Sequence, residues 1–149
     1  MKKIQNVFPK IRGEIRFSEP LGRHTTFQIG GPCTAWVEPK DENDLQKIVN
    51  FARKNKRKIF ILGMGSNVLF RDRGFNGIVV NLGDKHFKKI SFKGTSVRAG
   101  AGAKLGRLIE LTCKKGLSGL ERLVGIPASL GGAIFMNAGH KEDISDSLK

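Results

Sequence analysis

The sequence predicts a single domain that mixes α-helices and β-strands. Its 149 residues are the size of one ordinary domain. Short apolar runs with strand character alternate with two segments whose apolar residues recur at helical spacing. The chain also contains 19 glycines, about twice the usual share of roughly 7%. We therefore expect an ordered α and β chain with many turns and close backbone approaches.

The first predicted elements are a strand and a helix that follow a basic lead-in over residues 1–20. The sequence "IGGP" turns the chain into the alternating strand 34–39, "TAWVEP", which Pro39 closes. Asp41 is a natural N-cap for a helix that ends near Lys54. Its apolar residues fall at i, i+3, i+4 and i+7 and are Leu45, Ile48, Val49 and Ala52.

More strands than helices are predicted in the rest of the chain. Gly116 stands where a helix C-terminus is expected, and Pro127 prevents a long uninterrupted helix near the end. No internal repeat or low-complexity linker interrupts the pattern. The predicted elements are strands 58–62, 78–82 and 96–102, a turn over 71–77, a polar hairpin around 85–94 and a helix over 104–115.

The net charge of +14 comes from 27 Lys and Arg against 13 Asp and Glu. Such a balance fits a nucleic-acid-binding protein or one with polyanionic ligands, and charge alone does not choose between them. The basic residues form runs at 53–58 and 85–93. The first run contains no aromatic residue that a stacking platform for bases requires, so solvated faces are the favoured interpretation.

Cysteine usage and the amino terminus indicate an intracellular protein. Cys33 and Cys113 have no Cys or His partner at metal-ligand spacing, so we expect reduced thiols and no metal site. The basic start lacks the apolar stretch of a secretory signal, and no run reaches the 18 or more residues of a membrane span. A cytoplasmic location with no membrane partner is therefore expected.

Gly63 and Gly65 form a candidate ligand loop directly behind the predicted strand 58–62. Glycines let successive backbone N–H groups point into one concavity that can hold a diphosphate. The dinucleotide fingerprint G-x-G-x-x-G is not completed, because its third glycine position is Val68 and no helical stripe follows. No P-loop sequence is present either. A tight structural turn remains the alternative.

A second glycine cluster, 125–132, is followed by "MNAG" at 136–139. Taken with four other segments, it resembles the UDP-N-acetylenolpyruvoylglucosamine reductase (MurB) family, whose signature segments occur in the same order and at about the same spacing. The segments are "TTFQIGGP" at 25–32, "LGMGSNVLF" at 62–70, "VRAGAGAKLGRLI" at 97–109, "GLERLVGIPASLGGAIFMNAG" at 119–139 and "EDISD" at 142–146.

The resemblance implies an α+β fold, the FAD-binding fold of the vanillyl-alcohol-oxidase (PCMH) type with two small α/β lobes. The first lobe would span about 21–83 and an incomplete second lobe about 84–149, with the substrate domain absent. FAD would be the cofactor, its diphosphate wrapped by main-chain N–H groups, with side-chain donors at Ser66 and Asn67. The implied cofactor-binding residues are Gly63, Met64, Gly65, Ser66, Asn67, Val68, Gly125, Ile126, Pro127, Ala128, Ser129, Gly131, Gly132 and Asn137.

Several polar residues near these segments have two interpretations. Asn137 would contact the cofactor or satisfy loop backbone groups. Arg23 and Arg122 would neutralise the diphosphate or remain surface charges. Thr25 and Thr26 could reach the cofactor, but a turn is favoured for them. The histidines His24, His86 and His140 have no acid or nucleophile at a recognisable spacing, so none is assigned to catalysis.

In the family, NADPH reduces FAD, and hydride then passes to the enolpyruvyl double bond of a UDP-sugar, which gives UDP-N-acetylmuramate for peptidoglycan. The family's catalytic arginine, glutamate and serine match positions beyond Lys149, so we expect an FAD-binding portion with no catalytic residue, inactive alone. A separate chain could supply the missing domain. His140 and Lys141 depart from the family pattern. The alternatives are another related flavin oxidoreductase and a basic polyanion-binding module.

Overall fold

The computed structural model describes residues 6–139. The predicted features at His140, Lys141 and 142–146 lie outside these residues. Short 3₁₀ helices occupy Leu21–His24, Lys85–Lys88 and Glu121–Leu123. The strands and α-helices of this part are β1 (Glu14–Phe17), β2 (Cys33–Glu38), α1 (Glu42–Lys54), β3 (Lys58–Ile61), β4 (Phe75–Val80), β5 (Ile90–Lys93), β6 (Ser96–Ala99), α2 (Leu105–Lys114) and α3 (Leu130–Phe135).

A four-stranded sheet in the order β1-β2-β4-β3 organises the first part of the molecule. β1 runs antiparallel to β2, whereas β2, β4 and β3 are mutually parallel. Helix α1 connects β2 to β3, but the parallel neighbours β3 and β4 are joined by the loop 62–74, which contains no helix. The carboxyl ends of three parallel strands therefore meet at one edge, where ligands bind in open α/β sheets.

The two faces of the sheet bury different sets of side chains because successive strand residues point to opposite faces. On one face, Ala35 and Val37 of β2 pack with Ile48 and Ala52 of α1, as the helical stripe predicts. On the other face, Trp36 packs with apolar residues that include Leu21, Leu62, Phe70 and Val79. The second face is covered by loops, among them the glycine loop that follows β3.

Asp41 caps α1 as predicted, since its carboxylate accepts the backbone N–H of Asp44 at 3.1 Å. Asp44 itself is fully buried. Its Oδ2 atom accepts backbone N–H groups of Arg12 at 3.0 Å, Gly13 at 2.9 Å and Lys40 at 3.1 Å. One carboxylate thus joins the segment before β1 to the start of α1.

Three strands, β1, β4 and β6, differ from the predicted elements by more than one residue. β1 was missed, because its four residues mix polar and apolar types and are held at the sheet edge by pairing with β2. β4 begins at Phe75 rather than residue 78, since the Phe75 N–H donates to the Pro32 carbonyl at 3.0 Å and extends the parallel pairing. β6 ends at Ala99 rather than residue 102 because the chain turns after Gly100, with the Ala103 N–H donating to the Gly100 carbonyl at 3.0 Å.

The second part of the chain contains the β5–β6 hairpin and helices α2 and α3. Helix α2 ends as predicted, with Gly116 at a φ of 67°. The basic run 53–58 lies at the end of α1 and in the following turn, and 85–93 lies in a 3₁₀ helix and β5. Across residues 6–139, none of the helices combines the length and apolarity that crossing a bilayer requires.

The two thiols differ in reactivity according to their burial. Burial raises the pKa of Cys33 to about 11, whereas Cys113 is exposed on α2. Because the thiolate is the nucleophile, we expect iodoacetamide at pH 8 to alkylate Cys113 within minutes and Cys33 only after unfolding. Intact-mass spectrometry of the native protein should show one adduct, and addition of guanidinium should give the second. Two adducts on the folded protein would contradict the buried position of Cys33.

Candidate functional site

The first glycine segment, 63–68, leaves the sheet at the carboxyl end of β3. The Leu62 N–H still donates to the Val80 carbonyl at 2.9 Å, after which the pairing ends. Asn81, which follows β4, donates its side-chain N–H₂ to the carbonyls of Leu62 at 2.8 Å and Gly63 at 3.0 Å. One amide side chain therefore holds the start of the loop against the neighbouring strand.

The loop presents a continuous row of free backbone donors. Between residues 6 and 139, no acceptor is bonded to the N–H groups of Gly63, Met64, Gly65, Ser66, Asn67 or Val68. Backbone donors of folded proteins are nearly always paired with protein or with water, so six in sequence without a protein acceptor are open to water or to an external acceptor. Consecutive N–H groups in a turn are a recurrent way to bind an anion.

Gly65 requires glycine for two reasons. Its φ of 69° lies in the left-handed region, and a Cβ atom at this position would collide with the carbonyl oxygen of His24. The Gly65 carbonyl also accepts the N–H of Thr26 at 3.0 Å. The neighbouring Thr25 hydroxyl donates to the Ile29 carbonyl at 3.3 Å, which confirms the turn predicted for this threonine.

The second glycine segment reaches the first through Ser129. This residue caps α3, because its Oγ accepts the Gly132 N–H at 3.3 Å. A Cβ atom at Gly63 would collide with the same hydroxyl, so the two segments lie in direct contact. The N–H groups of Leu130 and Gly131 donate to the carbonyls of Ala103 and Ala101, both at 2.8 Å, and hold α3 against the loop before α2.

The remaining predicted residues fall into two groups. Val68 packs on the Trp36 cluster, and Ile126 and Ala128 pack with Leu105, so these three can offer a ligand only their backbone. The others are surface residues: Met64, Asn67, Gly125, Pro127 and Asn137 are exposed. Asn137 has a φ of 47° and, among the described contacts, no side-chain hydrogen bond, so it does not cap loop backbone.

An open cleft of about 340 Å³ lies beside the first glycine segment. Sequence reasoning missed Trp36, Glu38 and Asn81 as parts of this site. Glu38 and Asn81 directly follow buried apolar runs, so their position at strand ends was the signal that could have revealed them. The cleft is lined by Arg23, His24, Thr25, Thr26, Trp36, Glu38, Gly63, Met64 and Asn81.

A network of aromatic and charged side chains forms one wall of the cleft. The His24 ring stacks on Trp36 with a centroid separation of 3.7 Å, and its Nε2 lies 2.9 Å from Oε1 of Glu19. The Trp36 indole N–H donates to Oε1 of Glu38 at 2.9 Å. Arg16 bridges the two carboxylates, at 3.2 Å from Glu19 and 2.9 Å from Glu38. His24 thus has an acidic partner that its sequence spacing did not reveal.

The chemistry of this site is that of anion binding through the main chain. Free N–H groups follow one another along the loop at a sheet edge, Arg23 adds a positive charge at the cleft, and glycine at two positions permits close backbone contact. These donors fit the diphosphate of a dinucleotide cofactor.

Comparison with known proteins identifies relatives of this chain. Residues 33–147 match a family described as FAD binding domain. The chain is 44% identical over 140 residues to the UDP-N-acetylenolpyruvoylglucosamine reductase of Desulforamulus reducens, and covers 46% of that protein. It is 40% identical over 148 residues to the reductase of the same name from Bacillus subtilis, and covers 48% of it. The chain therefore spans about half the length of these relatives.

Solved structures show the same likeness. A crystal structure of UDP-N-acetylenolpyruvylglucosamine reductase (MurB) from Thermus caldophilus matches with a TM-score of 0.69 and 33% identity, over 89% of this chain and 45% of that one. A solvent-stable cholesterol oxidase matches in fold, with a TM-score of 0.63 at 18% identity, over 90% of this chain and 26% of the oxidase. The α+β FAD-binding fold and the family resemblance predicted above are confirmed.

Proposed function

This chain belongs to the FAD binding domain family, and we propose that it is the FAD-holding part of a reductase acting on UDP-N-acetylenolpyruvoylglucosamine. The observation that carries the assignment of the site is the row of unpaired N–H groups from Gly63 to Val68 at the carboxyl edge of the sheet. The relatives' shared name supports the choice of reductase.

In the proposed site, the main chain of 63–68 binds the FAD diphosphate, with Ser66 and Asn67 as additional side-chain donors. Arg23 offsets part of the diphosphate charge from the cleft wall. Ser129, which caps the first turn of α3, lies next to Gly63. When bound, FAD supplies the hydride-transfer chemistry, while these residues hold and orient the cofactor.

The substrate half of the reaction is also a proposal. A UDP-sugar as acceptor follows from the relatives' name, NADPH as reductant follows from the family resemblance, and a cytoplasmic location fits both. We expect the 149-residue polypeptide to bind FAD but to show no NADPH oxidation that depends on the UDP-sugar. Turnover by the purified chain would contradict the expectation that it contains no catalytic residue.

The experiment that tests FAD binding is an absorption spectrum of the purified protein. The chain is incubated with FAD, free cofactor is removed on a sizing column, and the protein peak is scanned from 300 to about 550 nm, where flavins absorb. Flavin bands that elute with the protein support the proposal. A colourless, well-folded protein would refute it for this chain and would give weight to the polyanion-binding alternative.

Asn81 offers a test of how the loop is held. Replacing Asn81 by Leu keeps the side-chain size but removes both hydrogen bonds to the Leu62 and Gly63 carbonyls. We expect FAD affinity to fall about tenfold, because a looser loop loses more entropy when it orders around the cofactor. Quenching of flavin fluorescence in a titration measures the change. Unaltered affinity would show that the loop keeps its shape without Asn81.

A further inference from the structure

We propose that His24 is a positioning residue for the glycine loop 63–68, fixing through its own main chain the shape of the loop at Gly65. This inference rests on the proposed role of the loop in binding FAD. His24 itself is not assigned to contact the cofactor. The His24 ring is held on the sheet. The His24 carbonyl and the peptide groups that follow it form the surface on which Gly65 packs.

Two strong contacts fix the His24 ring. It stacks nearly parallel on Trp36, with an interplanar angle of 19°, and Nε2 lies 2.9 Å from Oε1 of Glu19. Both partners are themselves fixed, since Trp36 is 2% exposed and Glu19 is 8% exposed. The stack and the hydrogen bond restrain both the plane of the ring and its rotation within that plane.

The main chain of His24 acts directly on the loop. Its carbonyl oxygen occupies the space that a Cβ of Gly65 would need, and two residues later the Thr26 N–H donates to the Gly65 carbonyl at 3.0 Å. Within the described part of the chain, residues 63–68 accept one other hydrogen bond, from Asn81 to Gly63. The half of the loop that contains Gly65 is therefore held chiefly by the 24–26 turn.

Packing alone does not explain this arrangement. An apolar ring at position 24 would stack on Trp36 without an acidic partner, yet the chain buries Glu19 beside the imidazole and pairs it with Arg16 as well. Burying a carboxylate costs free energy that a well-packed apolar pair avoids. What the contact between the imidazole and Glu19 adds is a defined orientation, which the adjoining backbone needs if the loop is to present its N–H groups together.

The proposal is tested with His24→Phe, which keeps a ring on Trp36 and removes the contact with Glu19. Two quantities are measured on the 149-residue protein: FAD affinity by fluorescence titration, and hydrogen exchange of the Thr26 amide by NMR without cofactor. We expect FAD binding to weaken about tenfold and Thr26 exchange to accelerate about tenfold, while exchange in the central strand β4 stays unchanged.

The control variant is His86→Phe, which removes a more exposed histidine-carboxylate pair, His86 Nε2 with Glu42 Oε2 at 2.5 Å, that does not touch the loop. It should change neither quantity. Unchanged Thr26 exchange in folded His24→Phe overturns the proposal whatever the effect on FAD binding.

If the wild-type chain binds no FAD, the proposed function fails, and Thr26 exchange still decides the role of His24. If His24→Phe does not fold, Glu19→Gln replaces it, with smaller losses of the same two quantities expected and no loss overturning the proposal.

Discussion

Replacing Gly65 by Ala is expected to weaken FAD binding by about 100-fold or more, equal to about 2.7 kcal/mol. The new Cβ would collide with the His24 carbonyl, and a φ of 69° is unfavourable for alanine. The loop must therefore move, and several N–H groups lose their common direction. Because a hydrogen bond to a charged group contributes about 1.5–3 kcal/mol, misplacing two of them produces this loss. Fluorescence titration with FAD measures it.

Gly94 provides the matched control for backbone strain. It also has a left-handed φ, 57°, but it lies in the β5–β6 turn, and a Cβ there would meet no atom within 4 Å. Gly94→Ala should lower the free energy of unfolding by about 1–2 kcal/mol and leave FAD affinity unchanged. If Gly65→Ala binds FAD as tightly as Gly94→Ala, the loop does not hold the cofactor in the proposed way.

Gly63 and Gly65 of the first segment have a second physical role besides the one the sequence suggested. The sequence indicated these two glycines because they let backbone N–H groups point into one concavity; in the structure, a Cβ at Gly63 or Gly65 would also collide with the Ser129 hydroxyl or the His24 carbonyl. The two explanations are compatible. The two glycines pack on neighbouring protein atoms through their Cα atoms. Their N–H groups remain free, and such groups are what a diphosphate binds.

Local signals determined how much could be predicted from the sequence. The start of α1 at Asp41 and its apolar stripe depend on residues a few positions apart, and so does the loop at Gly63, so all three were predicted correctly. The pair of Asn81 with Gly63 depends on which strands are neighbours in the sheet, whereas Glu19 meets His24 through the local turn into the 3₁₀ helix Leu21–His24. Periodicity does not encode that order, because β4 enters the sheet between β2 and β3.

Removing the carboxylate of Asp44 should produce the largest loss of stability. Asp44→Ala leaves three backbone N–H groups, those of Arg12, Gly13 and Lys40, without their acceptor. Each unsatisfied donor costs about 1–3 kcal/mol when buried, and water reaches these partly buried groups, so we expect a total near 3 kcal/mol. That is a large share of the roughly 5–15 kcal/mol that stabilises an ordinary domain. Urea unfolding followed by circular dichroism measures it, with exposed Asp72→Ala as the control that should change little.

The same carboxylate should make the fold sensitive to acid. Burial alone would raise the pKa of Asp44, but the hydrogen bonds from the Arg12, Lys40 and Gly13 N–H groups outweigh burial and lower the pKa below its usual value. A depressed pKa in the folded state means that the stabilisation is complete above about pH 4, the usual Asp value, and is lost as the pH falls further. Asp44→Asn, which cannot titrate, should therefore lose less stability than the wild type between pH 5 and about pH 2. Parallel acid-unfolding curves for the two proteins would contradict this assignment and would locate the acid-sensitive group elsewhere.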